Sequence, residues 1–170
     1  MALFNQVSII GVGLMGGSVA KAIRKKRLAR KIVGFFRNKQ KQKRALASGI
    51  VDEGFLSLKE SIKNSDLIIL ALPIHHIIRF MAKLKNIADK NAVIIDMGSE
   101  KSNVTKAAQQ FRLNFVGTHP LAGSEKKGAD YSLETLFNNS CVILTPTKKT
   151  SLQALRKVRK FWTGLNAKVA

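Results

Sequence analysis

"IIGVGLMGGSVAKAI", residues 9–23, is the stretch on which the fold turns. Gly11, Gly13 and Gly16 stand in G-x-G-x-x-G spacing, after the apolar run "VSIIG" (7–11) and before a stretch with helical periodicity. In a strand–loop–helix unit each glycine has its own task. The first permits the tight turn, and the second lets a pyrophosphate approach the backbone. The third lets helix and strand pack closely, while the helix N-terminus offers N–H groups and a positive dipole. The pattern predicts dinucleotide binding, with Gly11, Gly13, Leu14, Met15 and Gly16 against the ligand. The competing reading is a βα turn that is glycine-rich for packing reasons alone.

Further short β-branched runs follow: "KIVGFF" (31–36), "DLIILAL" (66–72), "AVIIDM" (92–97), "NFVGT" (114–118) and "CVILTP" (141–146). They lack polar alternation, as strands buried on both faces of a parallel sheet should. Between them, helices are expected near 15–27, 38–48, 74–87, 100–111 and 149–163. This alternation predicts an α/β fold with a doubly wound, mostly parallel sheet of Rossmann type. No repeat or linker divides the chain, so 1–170 is expected to be one dinucleotide-binding domain. Its last residues, "WTGLNAKVA", read as a helix end, a glycine stop and the opening of another strand, and so as a chain cut short.

About 20 residues after Gly16, the second strand of such a unit ends on an Asp or Glu that binds the adenosine ribose of NAD. Here that place holds Phe36, followed by Arg37, Asn38 and Lys39. A carboxylate would repel a 2′-phosphate, whereas a guanidinium can grip phosphate and stack on adenine. Asn38 and Lys39 add donors at the start of the next helix. NADP is the expected cofactor, with NAD as the alternative. A merely solvated basic helix accounts for Lys41, Lys43 and Arg44 but leaves the missing acid unexplained.

The chain carries 30 Lys and Arg against 10 Asp and Glu, a net charge of +20. Such a balance suits polyanionic partners, but only residues 30–44 are dense enough to form a patch, and no aromatic residues interleave it. No apolar run approaches the roughly 18 residues of a membrane helix. Cys141 is expected to be a buried free thiol, which suits a reducing, cytoplasmic setting. His75 and His76 in "ALPIHHI" (71–77) lack the spacing of a metal site, and none is expected. Leu72 and Pro73 of the same stretch are expected to pack against the cofactor.

"DMGSEKSNV" (96–104) and "VGTHPLAGSEKKGAD" (116–130) each follow a predicted strand, where open α/β sheets place their ligands. Together with "GVGLMGGS" (11–18) and "LTP" (144–146), they resemble the prephenate/arogenate dehydrogenase family over essentially the whole chain. "GTHPLAGSE" is the most specific block. The resemblance implies oxidative decarboxylation of a cyclohexadienyl acid, in tyrosine biosynthesis, with hydride transfer to a nicotinamide. It implies that His119 is the catalytic histidine, in keeping with imidazole's ability to move protons near neutral pH. It also implies that Ser99 orients His119 and that Glu125 shapes the substrate pocket. Ser99 alternatively reads as the N-cap of the 100–111 helix, and Glu125 as a surface carboxylate. Lys101 could add positive potential for the substrate's carboxylates, or be solvated.

The family normally continues into a helical domain that forms the dimer and binds those carboxylates, and nothing in 1–170 can match it. Prephenate and arogenate are therefore not separated. No nucleic-acid or membrane partner is expected. Two rival readings stay open: another NADP-dependent dehydrogenase acting on a β-hydroxyacid or imine, and a non-catalytic dinucleotide-sensing or nucleic-acid-binding module.

Overall fold

A computed structural model describes residues 2–123 and 125–170. Ser124, within the "GTHPLAGSE" block, lies outside the described residues. Eight strands form one sheet in the order β3-β2-β1-β4-β5-β6-β7-β8. They are β1 (Phe4–Ile10), β2 (Ala29–Phe35), β3 (Glu53–Phe55), β4 (Leu67–Leu70), β5 (Val93–Asp96), β6 (Phe115–Pro120), β7 (Cys141–Thr145) and β8 (Lys168–Val169). The first six run parallel; β7 is antiparallel to β6, and β8 is parallel to β7. The expected doubly wound, mostly parallel sheet is what the chain forms.

The helices are α1 (Leu14–Lys26), α2 (Lys39–Ala47), α3 (Leu58–Ile62), α4 (Ile74–Leu84), α5 (Ser102–Gln110) and α6 (Leu152–Gly164). Strand periodicity sorts the core into two layers. Leu67 and Ile69 of β4 join Val19 and Ile23 of α1 and Phe161 and Trp162 of α6. Ile68 and Leu70 join Ile77 and Met81 of α4 and Val104 of α5. Burying each such Ile or Leu contributes about 1.5–3 kcal/mol, which is why the central runs read as unbroken apolar segments. No helix is long and apolar enough to cross a membrane, among the described residues.

Three expectations are corrected. The stretch between α2 and β4 holds β3 and α3, which were not expected. The strand 141–146 was expected to be buried on both faces, yet in β7 Ile143 is 40% exposed and Cys141 is half-buried. Val142 and Leu144 join the core with Val158 and Phe161 of α6, so β7 buries one face and leaves the face of Cys141 and Ile143 more open. The helix expected over 100–111 begins at Ser102, so Ser99 is not its N-cap. Glu100 serves that end instead, its Oε1 accepting the Asn103 N–H at 2.8 Å.

A groove at the switch point and a buried charge pair beside it

The chain winds outward from β1 through β2 to β3, then crosses to β4 on the other side of β1. The switch point between β1 and β4 opens a crevice at the strand C-termini. Gly11 holds it open. Its φ of +102° is one few side chains adopt, and a Cβ there would lie 2.3 Å from the Ala71 carbonyl oxygen. Gly16 packs α1 onto the loop, since its Cβ would fall 2.1 Å from the Gly11 carbonyl oxygen. Gly13, by contrast, faces open space and is the N-cap of α1, a residue with no side chain to cap that helix end. No acid stands in the first turn of α1. Open space in front of uncapped N–H groups is what a pyrophosphate requires.

Two adjoining clefts flank this loop. One, of about 540 Å³, is lined by Gly11, Gly13, Arg37, Asn38, Lys41, Leu72 and Pro73 among others. The second, of about 360 Å³, shares Gly13, Leu72 and Pro73 and continues past Leu14, Met15, Met97, Lys126 and Lys127. The residues singled out along 11–16 and 72–73 therefore meet along one groove, Gly16 behind it as packing. Sequence reasoning missed Met97, Lys126 and Lys127. The connection after β6 folds back onto α1, where Lys21 Nζ donates to the Ser132 carbonyl at 2.9 Å and Leu133 N–H donates to Ser18 Oγ at 2.9 Å. That return carries 126–128 to the groove, and no local pattern announces it.

Phe36 occupies the place of the absent acid but not its role. It is 6% exposed, and its ring fills the space that side chains at Gly34 and Gly54 would take; a Cβ at either would come within 3 Å of it. The strand end is thus plugged with an apolar ring, and Arg37 takes over the cleft wall. Asn38 is the N-cap of α2, its Oδ1 accepting from Gln40 N–H (2.8 Å) and Lys41 N–H (3.1 Å). Lys39 is exposed and not among the cleft-lining residues, whereas Lys41, one turn into play from the cap, is.

At the other end lie β5 and β6. Asp96 closes β5 and has no exposed surface. Its Oδ1 accepts Thr118 N–H at 3.1 Å, and its Oδ2 accepts Gly98 N–H at 3.0 Å and pairs with Lys101 Nζ. Thr118 Oγ1 in turn donates to the Asp96 carbonyl. Burial pushes the Asp96 carboxyl above its ordinary range, against the pull of Lys101 and the two amides. Burial likewise pushes the Lys101 ammonium below its ordinary range, against the attraction of Asp96 and Glu100. Lys101 is thus no solvated lysine: its side chain is 14% exposed and its stem lies over Gly117.

His119, half-buried on β6, stands opposite Ile143 of β7. Paired antiparallel residues share a face, so His119 belongs to the uncovered face that exposes Ile143. Ser99 is exposed in the loop between β5 and α5, and Glu125 is exposed in the long connection after β6. His75 and His76 stack at 4.1 Å, and among the described residues no three potential metal-ligating side chains converge.

A profile of the nucleotide-binding domain of prephenate dehydrogenase matches residues 19–170. The chain belongs to the prephenate dehydrogenase family. The prephenate dehydrogenase of Bacillus subtilis is 34% identical over 167 residues, which cover 96% of this chain and 45% of that one. The crystal structure of the Aquifex aeolicus prephenate dehydrogenase superposes with a TM-score of 0.91 at 37% identity, covering 96% of this chain and 60% of its own. A second structure from that organism holds hydroxyphenyl propionate and NAD+. The arogenate dehydrogenase of Synechocystis is 30% identical, also with a TM-score of 0.91, covering 97% of this chain and 58% of its own. The chain spans about half the length of these prephenate dehydrogenase relatives.

Proposed function

We propose that residues 1–170 are the cofactor half of a dehydrogenase that oxidatively decarboxylates prephenate or arogenate, with NADP as hydride acceptor. The observation that carries the cofactor choice is the buried Phe36 beside Arg37 and Lys41 in the cleft wall. With no carboxylate at the strand end, a 2′-phosphate meets cations only. The uncapped start of α1 and the open space at Gly13 suit the pyrophosphate, and Leu72 and Pro73 form the apolar wall along the dinucleotide.

A bound dinucleotide would supply the hydride acceptor. The protein's task is then to remove the proton from the ring hydroxyl as the hydride departs from the same carbon. The ring C–carboxylate bond breaks, and its electron pair completes the aromatic ring as carbon dioxide leaves. His119 takes the proton, and Ser99 at the end of the neighbouring strand helps hold the histidine and the hydroxyl in line. Glu125 shapes the far side of the substrate pocket. Lys101 adds little net charge for the substrate's carboxylates, because Asp96 already neutralises it. Lys126 and Lys127 line the second cleft and bring positive potential toward those carboxylates.

Calorimetric titration with NADP+ and NAD+ tests the cofactor choice: NADP+ should bind about ten- to a hundredfold more tightly, the worth of a charge-assisted contact. Equal affinities would sink it. Assays with prephenate, arogenate and 3-hydroxyacids test the substrate class, and turnover of 3-hydroxyacids alone would replace it. The 170-residue chain by itself should bind NADP+ yet turn over either cyclohexadienyl acid little or not at all.

A further inference from the structure

The pair formed by Asp96 and Lys101 is costly where it stands. A buried ion pair adds stability only when attraction exceeds the loss of hydration. Here hydration loss dominates for both partners, since burial is the leading influence on each and drives each toward its neutral form. Replacing a buried ion pair by apolar side chains of similar volume is often neutral or stabilising, and in some proteins such pairs serve geometry rather than stability.

The geometry at Asp96 is specific. One oxygen receives the N–H of Thr118, the residue before His119. The other receives the N–H of Gly98, the residue before Ser99, and pairs with Lys101, two residues after Ser99. The Asp96 carbonyl also accepts the Thr118 hydroxyl. Beyond the β5–β6 ladder, the Asp96 side chain thus joins the backbone just before Ser99 to the backbone just before His119.

We infer that Asp96 is a positioning residue, whose carboxylate ties the loop of Ser99 and the strand of His119 to one anchor and so fixes the two side chains relative to each other. This rests on the reading that Ser99 and His119 serve the reaction, but its test needs neither cofactor nor substrate. Failure of that reading shows instead as normal turnover in a His119 variant, so the two failures are distinguishable. An Asn at 96 keeps the shape but has one acceptor oxygen, so it can serve one amide and must turn its own N–H₂ toward the other. Alone, it also leaves the Lys101 ammonium buried without a partner.

The experiment compares wild type, Asp96→Asn and the double variant Asp96→Asn/Lys101→Met, as the same 170-residue chain. Asp96→Asn should lower the melting temperature by roughly 10 °C, the consequence of an unpaired buried charge. The double variant should melt within a few degrees of wild type or above it. In that stable double variant, hydrogen exchange at the Thr118 or Gly98 amide should speed up about tenfold or more. Amides of Ile68 and Ile69 in β4 should keep their protection. The His119 ring resonances should shift or broaden, while those of His75 and His76 on α4 stay in place. A double variant that melts as low as Asp96→Asn, or fails to fold, makes the pair a structural one and overturns the inference. So does a stable double variant in which both amides and the His119 ring behave as in wild type.

Discussion

The two ends of the groove are built on opposite terms. At the proposed adenosine end, the features that would meet a ligand also serve the fold. Gly11 is required by the close approach of Ala71 and Gly16 by the packing of α1 onto the loop, Asn38 caps α2, and the Phe36 ring fills the space over Gly34 and Gly54. At the catalytic end, the fold carries a buried ion pair that its own burial disfavours, and β7 presents Ile143 to solvent beside His119. The first region is lined by one glycine loop and the residues after β2 and β4, and the second exposes Ile143 on one face. Changes at the first should therefore cost cofactor affinity or stability, and a change of His119 at the second should cost turnover while sparing both.

The sharpest way to break this contrast is His119→Asn, assayed in a polypeptide that extends past Ala170. Turnover should fall about 10²–10⁴-fold, the usual worth of general-base assistance. NADP+ affinity should stay within a factor of about two, because the glycine loop lies in a different βα unit. Near-normal turnover would remove His119 from the mechanism, and a matching loss of affinity would show that the two ends are not separable.

At the adenosine end, Arg37→Ala should weaken NADP+ binding by about ten- to a hundredfold and leave NAD+ binding nearly unchanged. Equal losses for the two dinucleotides would mean that Arg37 stacks on adenine rather than holding the 2′-phosphate. Phe36→Ala probes the plug beneath it. Emptying a site shaped by two glycines should cost about 3–5 kcal/mol of stability, read as a shift in denaturation midpoint. A change below about 1 kcal/mol would show that the ring is not what the glycines accommodate.

The adenosine end was also the legible one, and for a physical reason. Its logic is local: glycines at fixed spacing, a strand before, a helix after, and an acid missing at a countable distance. The central strands were legible because burial on both faces leaves no polar residue in the run. What escaped reading was non-local or short. β3 has three residues, none fully buried, and α3 has five, so neither carries a hydrophobic period. The reversed direction of β7 leaves no mark in "CVILT"; it follows from a connection out of β6 that returns along α1 instead of crossing the sheet as a helix. Lys41 read as one of several solvated lysines, and only the fold turns it to the cleft. Asp96 had a signal that went unweighed, an acid closing the apolar run "AVIID". The alternative of a cap at Ser99 fails because α5 begins at Ser102, two residues later than the sequence suggests, and the alternative of a solvated Lys101 fails because its partner Asp96 sits five residues back, at the end of β5.

The smallest expected effect concerns how the catalytic end titrates. The Asp96 carboxyl is raised by burial above its ordinary value of 3.8, so between that value and its folded one the native state holds a proton that the unfolded chain has released. Stability must then fall as pH rises through this window, because the unfolded state binds fewer protons there. One proton bounds the slope at about 1.4 kcal/mol per pH unit. The +20 charge makes the raw curve hard to read, since general repulsion also varies with pH. Asp96→Asn removes this titration and also takes from Lys101 the partner that opposes its lowering by burial, and both changes narrow the gap as pH rises, so the quantity to measure is the difference between wild-type and variant stability from pH 3.5 to 7. The variant should start well below the wild type and draw closer to it as pH rises, because only the wild type loses the proton-linked contribution. A difference that stays flat, or that widens with pH, would mean that Asp96 is held ionised by Lys101 and its two amides, and that the catalytic end is no costlier to the fold than the adenosine end.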